Sequence, residues 1–161
     1  MNIMKYNTLI IIFLSLLITN VNGQELNMYN LDEINIKVNE FNILDEINEE
    51  DIEFEIGTPN SINKEGLETI NEFGYDIIRY CYGSSIIVAR GYFIGDIFIK
   101  DTRLSINGIK VGDYIDKVKS KFLKYNLQNY EIVIYHGDNS LTFYFDSKNN
   151  RITKIIYSVP L

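Results

Sequence analysis

Residues 130–157 constrain the fold more than any other part of the chain. Three segments rich in β-branched and aromatic residues, Tyr130–Tyr135 (YEIVIY), Leu141–Phe145 (LTFYF) and Ile152–Tyr157 (ITKIIY), are separated by two clusters of turn formers. These clusters are His136-Gly137-Asp138-Asn139 and Asp146-Ser147-Lys148-Asn149-Asn150. Apolar runs of that length between such clusters predict an antiparallel meander rather than helices. Successive side chains of a strand point to opposite faces, so Leu141, Phe143 and Phe145 share one face and Thr142 and Tyr144 the other. The first set is more apolar and is expected to face the core.

The first half of the chain carries a looser version of the same order. Tyr75–Tyr82 (YDIIRYCY), Ile86–Ala89 (IIVA) and Ile94–Ile99 (IGDIFI) are punctuated by Gly83-Ser84 and Gly91. Ahead of each set of strands lies a similar short motif. Val38-Asn39-Glu40-Phe41-Asn42-Ile43-Leu44-Asp45-Glu46-Ile47 parallels Ile106-Asn107-Gly108-Ile109-Lys110-Val111-Gly112-Asp113-Tyr114-Ile115. Each motif is followed by an i, i+4 apolar pair, Ile52 with Ile56 and Val118 with Phe122, which predicts a helix. Asp45 and Asp113 stand where an N-cap would sit. Gly57-Thr58-Pro59 closes the first helix, and 60–74 reads as a polar connection with room for a short strand or helical turn. The expected fold class is therefore α+β: two tandem copies of a helix plus a three-stranded antiparallel meander, with the helices packed on one sheet face. The first copy spans 34–101 and the second 102–161. The alternative is one irregular α+β domain.

Residues 1–23 read as a signal peptide. Lys5 supplies a short charged region, Leu9–Ile18 a ten-residue run broken by Ser15, and Val21-Asn22-Gly23 small residues before a cut at Gln24. That run is about half the length of a membrane span, which argues against the alternative of a retained anchor. Residues 24–33 read as a loosely held arm. The expected location is exported, periplasmic or extracellular, with no stable membrane insertion.

With 15 basic and 22 acidic residues the chain lacks the positive field that nucleic acid or anionic lipid would require. One cysteine, Cys81, cannot close an internal disulfide or build a thiolate zinc site, and it reads as a small buried hydrophobe. His136 is the one histidine, and no Gly-x-Ser-x-Gly elbow accompanies it. It reads as part of a hairpin turn. Asp138, Asp146 and Asn149 do not have the spacing of a calcium loop and fit turns instead. Glu46, Glu49, Glu50, Asp51, Glu53 and Glu55 form an acidic run that reads as a solvated face or as a patch steering a basic partner. The 19 asparagines are expected mostly in turns and on solvated faces. No catalytic residue, cofactor or metal is assigned.

The stretch Ile106–Phe122 (INGIKVGDYIDKVKSKF), followed by its strands, and the tail Phe54-Glu55-Ile56-Gly57-Thr58-Pro59 of the first copy resemble a recurrent bacterial envelope module. That module has the β-lactamase-inhibitor-protein-like architecture, shared with the small outer-membrane lipoprotein of the β-barrel assembly machinery. Two features depart from it: the second copy lacks the Gly-x-Pro after Phe122, and no cysteine follows the apolar run for lipidation. The resemblance implies a helix-covered sheet that binds other proteins over its open face. The chain is accordingly expected to be a non-enzymatic protein-binding module of the inhibitor, immunity or assembly-accessory type. Its partner would be another envelope or secreted protein. Arg79, Val133, Tyr135, Thr142 and Tyr144 are the candidate contact residues, all expected on the outer face. A carrier of a small apolar ligand or lipid is the alternative, and a hydrolase ranks last.

Overall fold

The structure is a computed structural model that describes residues 35–48, 52–70 and 73–160. The expected signal peptide and the arm at 24–33 lie outside these residues. The described residues form ten strands: β1 (Lys37–Val38), β2 (Phe41–Asn42), β3 (Ser61–Ile70), β4 (Phe73–Tyr82), β5 (Ser85–Arg90), β6 (Phe93–Ile99), β7 (Asn126–Gln128), β8 (Glu131–His136), β9 (Asn139–Asp146) and β10 (Arg151–Ser158). β1 and β2 form a small hairpin, and the other eight form one antiparallel sheet in the order β3-β4-β5-β6-β10-β9-β8-β7.

This architecture corrects the expected fold class. The protein is mostly β, and each half contributes four strands rather than three. The halves join edge to edge where Ile97, Phe98 and Ile99 of β6 pair with Tyr157, Ile156 and Ile155 of β10. Helix is scarce among the described residues: α1 (Ile115–Lys121) has seven residues, and the first expected helix is a five-residue π-helical turn, Ile52–Ile56. The Ile52/Ile56 and Val118/Phe122 pairs are buried as the periodicity requires. In the first segment, however, the Gly57 amide donates to the Ile52 carbonyl at 2.9 Å and ends the turn at once. Gly57 has φ +110°, a conformation that costs an L side chain but not glycine. Two such short pieces cannot cover an eight-stranded sheet.

Irregular backbone does most of the covering. Ile36, Val38, Phe41, Ile43 and Ile47 from the hairpin region and Leu104, Ile106 and Ile109 from the later connection are all buried. They pack in one core with Tyr80, Tyr82, Ile87, Ile97, Ile99, Ile132, Ile134, Leu141, Phe143, Ile155 and Tyr157 of the sheet. The two similar motifs meet here. Val38 bridges Ile106, the Asn39 amide donates to the Ser105 carbonyl at 2.9 Å, and the Asn107 amide to the Lys37 carbonyl at 2.9 Å. Asn39 and Asn107 sit at φ 50° and 51°, and each side chain accepts a backbone amide from the other motif, Ser105 at 3.0 Å and Lys37 at 2.6 Å. These asparagines replace strand hydrogen bonds that so short a hairpin cannot supply.

Neither expected N-cap forms. Tyr114 takes the cap position of α1 with no side-chain cap bond. Asp113 instead closes the preceding turn, accepting the Lys110 amide at 2.9 Å and the Lys117 ammonium at 2.7 Å. Asp45 lies well before the π-helical turn, whose first amide, that of Ile52, donates to the Asn48 carbonyl. Among the described residues no helix is long and apolar enough to cross a membrane.

Two carboxylates tie loops to this frame. Burial pushes the Asp101 carboxyl up, but amides of Arg103 and Ser84 and the Ser84 hydroxyl outweigh it and hold Asp101 below the usual 3.8. Burial likewise raises Asp113, and the Lys117 ammonium with the Lys110 amide brings it below that value. A carboxylate depressed in the folded state stabilises fully above its unfolded value, and that contribution is lost as pH falls through the folded value. Melting temperature should therefore drop as pH is taken below about 4, and Asp101→Asn should flatten that drop. An acid limb identical in the variant would contradict this role for Asp101.

Candidate open sheet face

The period-2 alternation places every candidate contact residue on the sheet face opposite the core. Leu141 and Phe143 are fully buried on the covered side, while Thr142 and Tyr144 point the other way. On β8, Ile132 and Ile134 enter the core, and Val133 and Tyr135 share the open face with Thr142 and Tyr144. On β4, Tyr80 and Tyr82 are buried in the core and Arg79 faces outward.

Cross-strand register organises this face into rows. One row runs Cys81–Ile86–Phe98–Ile156–Thr142–Val133, each residue paired with the next across β4, β5, β6, β10, β9 and β8. At roughly 4.8 Å between strands it extends about 24 Å. It is apolar throughout except for the Thr142 hydroxyl and the Cys81 thiol. The neighbouring row is Arg79–Val88–Asp96–Ser158–Ser140–Tyr135. Arg79 and Tyr135 thus stand at opposite ends of one row, far too distant to form a single spot. On the other side, Tyr144 pairs with Glu131 and Lys154, and the Lys154 ammonium lies 3.8 Å from the centre of the Tyr144 ring.

Exposure differs sharply among the five candidates. Tyr135 is 52% exposed and stands out from the face. Val133 and Thr142 are buried, and Tyr144 is half-buried with the Lys154 ammonium over its ring. Arg79 is engaged: its Nε donates to Glu65 Oε1 at 2.7 Å, and that bond is the main reason its guanidinium holds its proton even more firmly than usual.

The face also holds residues that the sequence reading did not single out. Arg90 Nη2 donates to Asp96 Oδ2 at 2.6 Å, with both side chains mostly shielded from solvent. Asp96 Oδ1 accepts from the Ser158 hydroxyl at 3.0 Å, a link across the β6–β10 seam. Gly95 makes room for the arginine, since a Cβ there would fall 2.1 Å from Arg90 Nη1. Ile86, Val88 and Phe98 could have been found from the alternation of Ser85–Arg90 and Phe93–Ile99. Their alignment with Ile156 and Thr142 depends on the β6–β10 pairing, for which the sequence carries no local signal. Cys81 belongs to this face, half-buried, with Asn63 Nδ2 3.8 Å from its sulfur, rather than to the core.

The turn assignments rest on specific bonds. Asp146 accepts the Lys148 amide at 2.8 Å and Asn149 Nδ2 at 3.1 Å, while Asn149 accepts the Arg151 amide, so these polar side chains close the β9–β10 turn. Glu46, Glu53 and Glu55 are exposed, and 49–51 lie outside the described residues.

Among the described residues, fold and face together define an antiparallel β sheet with one surface packed under a covering layer and the other left without one. The chain matches no protein-family model and no curated protein. Among solved structures it is similar to an extracellular protein containing a SCP domain from Bacillus anthracis str. Ames. Identity is 10% and the TM-score 0.41, over 70% of this chain and 43% of that one.

Proposed function

We propose that this chain is an exported, non-enzymatic protein-binding module that contacts another envelope or secreted protein through its open sheet face. The observation that carries this reading is the apolar row from Cys81 to Val133. It lies on the side of the sheet away from the covering layer, bordered by Arg79, Arg90, Asp96, Lys154 and Tyr135. A contiguous apolar stripe with a polar margin is what a protein interface offers: desolvated contact in the middle and orienting charges around it. The covered side is filled by side chains from the hairpin, the connection and α1. This favours a protein partner on the outer face over a ligand held inside.

Of the two tyrosines among the candidates, Tyr135 is the expected anchor, because Tyr144 is already held by Lys154. Truncating an anchoring aromatic typically costs 2 kcal/mol or more, or about thirtyfold in affinity. Tyr135→Ala should therefore reduce concentration-dependent capture of the partner from the exported fraction by about that factor. Its melting temperature should stay within the range of neutral surface changes. Undiminished capture by a folded Tyr135→Ala protein would overturn the assignment of this face.

A further inference from the structure

The eight-stranded sheet ends in two strands that each have one neighbour among the described residues, β3 and β7, and the two edges differ in chemistry. An edge strand presents unpaired backbone amides and carbonyls on which another strand can build. β3 carries features that hinder this: Lys64, Glu65 and Glu68 along its length, and a register shift between Glu65 and Leu67. β7 carries none of them. Asn126, Leu127 and Gln128 are uncharged, none is proline, and they pair with Val133, Ile132 and Glu131 of β8 without a shift.

Register fixes which way these side chains point. Leu127 pairs with Ile132, which is fully buried in the core, so Leu127 lies on the covered side of the sheet at the rim of that core. It is nevertheless 55% exposed, because no described strand stands beyond it. Asn126 and Gln128 pair with Val133 and Glu131 and belong to the open face. Two exposed tyrosines bracket the strand, Tyr125 immediately before it and Tyr130 in the turn that leads to β8.

We infer that β7 is the edge through which the chain pairs with a second copy of itself, β7 against β7 and antiparallel, about a two-fold axis at Leu127. The edge chemistry selects this occupant. That register sets Leu127 opposite its own symmetry mate and Asn126 opposite Gln128, so apolar meets apolar, amide meets amide, and no like charges face each other. The two cores continue across the junction, and each Tyr125 comes alongside the Asn129-Tyr130 turn of the other copy. Pairing β7 with β3 of another copy would instead set an uncharged strand against a charged one, and it would propagate head to tail without closing. The two-fold pairing consumes the unguarded edge of each copy and leaves a guarded β3 at both ends of the joined sheet. Its axis is perpendicular to the sheet, so the two open faces lie side by side on one surface. An edge of three residues spans about 10 Å, which makes the dimer weak and dependent on protein concentration. The pairing rests on the β7 edge and not on the open face, so it fails or holds separately from the proposed function.

Sedimentation equilibrium of the full chain, expressed with its own N-terminal segment, tests this. The wild-type protein should show a monomer–dimer equilibrium with no larger species, equal at low and high salt because the edge strand carries no charge. Leu127→Lys should weaken the dimer about tenfold or more, since it sets two ammonium groups face to face on the axis. Its circular dichroism should be unchanged, because the substituted side chain stands at an exposed edge. A cross-link reads the same contact without added charge. In a Cys81→Ser background, Leu127→Cys should form a disulfide-linked dimer under mild oxidation by copper–phenanthroline. Leu44→Cys, at a position of nearly equal exposure (51%), should not. A wild-type chain that stays monomeric, a Leu127→Lys protein that dimerises as tightly as the wild type, or equal cross-linking at 44 and 127 would each overturn the inference.

Discussion

Replacing Phe143 by alanine should lower the unfolding free energy by about 3–5 kcal/mol, the usual cost of deleting a buried ring. Phe143 is fully buried in the middle of β9, and its ring lies 5.8 Å from that of Phe122, which anchors the end of α1 to the sheet. The loss is therefore shared between sheet and cover, and the site cannot collapse around the cavity without moving both. Chemical denaturation should show the midpoint falling steeply with little change in slope. The neighbouring Tyr144→Ala should cost far less, since that ring is half-buried on the other face and loses mainly its contact with Lys154. Equal losses at 143 and 144 would mean that the faces of β9 are reversed.

Asp96→Ala should be the second costly change, at about 3 kcal/mol, the range found when one member of a shielded ion pair is removed. The carboxylate receives Arg90 at 2.6 Å and the Ser158 hydroxyl at 3.0 Å, so its loss breaks a shielded ion pair and removes a side-chain link between β10 and β6. The pair itself need not add net stability. Replacing both residues by apolar ones, Arg90→Met with Asp96→Leu, should therefore be far milder than Asp96→Ala alone. A double variant as unstable as the sum of its singles would show that Arg90 and Asp96 act independently.

The strands that the sequence declares most clearly are those with two neighbours and one buried face. β8 and β9 alternate cleanly because Ile132, Ile134, Leu141 and Phe143 enter the core and their neighbours do not, whereas in β10 a register shift between Ile152 and Lys154 interrupts the period before Ile155 and Tyr157 resume it. β3 is unreadable by that rule. As an edge strand it has one pairing partner, and Ser61, Ile62, Asn63, Lys64 and Glu65 are all exposed, so no apolar alternation marks it. A register shift between Glu65 and Leu67 breaks what pattern remains. β7 is hidden for a similar reason, being a three-residue edge whose Leu127 is itself exposed.

Apolar residues four apart mark burial in this chain without marking a helix. Ile52 and Ile56 do point into the core, yet Gly57-Thr58-Pro59 stops the turn after five residues. The candidate face was legible strand by strand from the period of two. Its continuity was not, because register between distant strands is set by the β6–β10 seam and not by any local sequence. The asparagines at 39 and 107 carry the same lesson: their roles come from each other's motif, 68 positions away.

Site-specific photo-cross-linking in the native host measures the central claim most directly. A photoreactive phenylalanine analogue at position 135 samples the open face, and the same analogue at Ser147 samples the exposed β9–β10 turn. Illumination should give one discrete adduct from position 135, containing a different exported protein, and none from position 147. No adduct at 135, an equal yield at 147, or an adduct made of a second copy of this chain would contradict a partner-binding role for the open face.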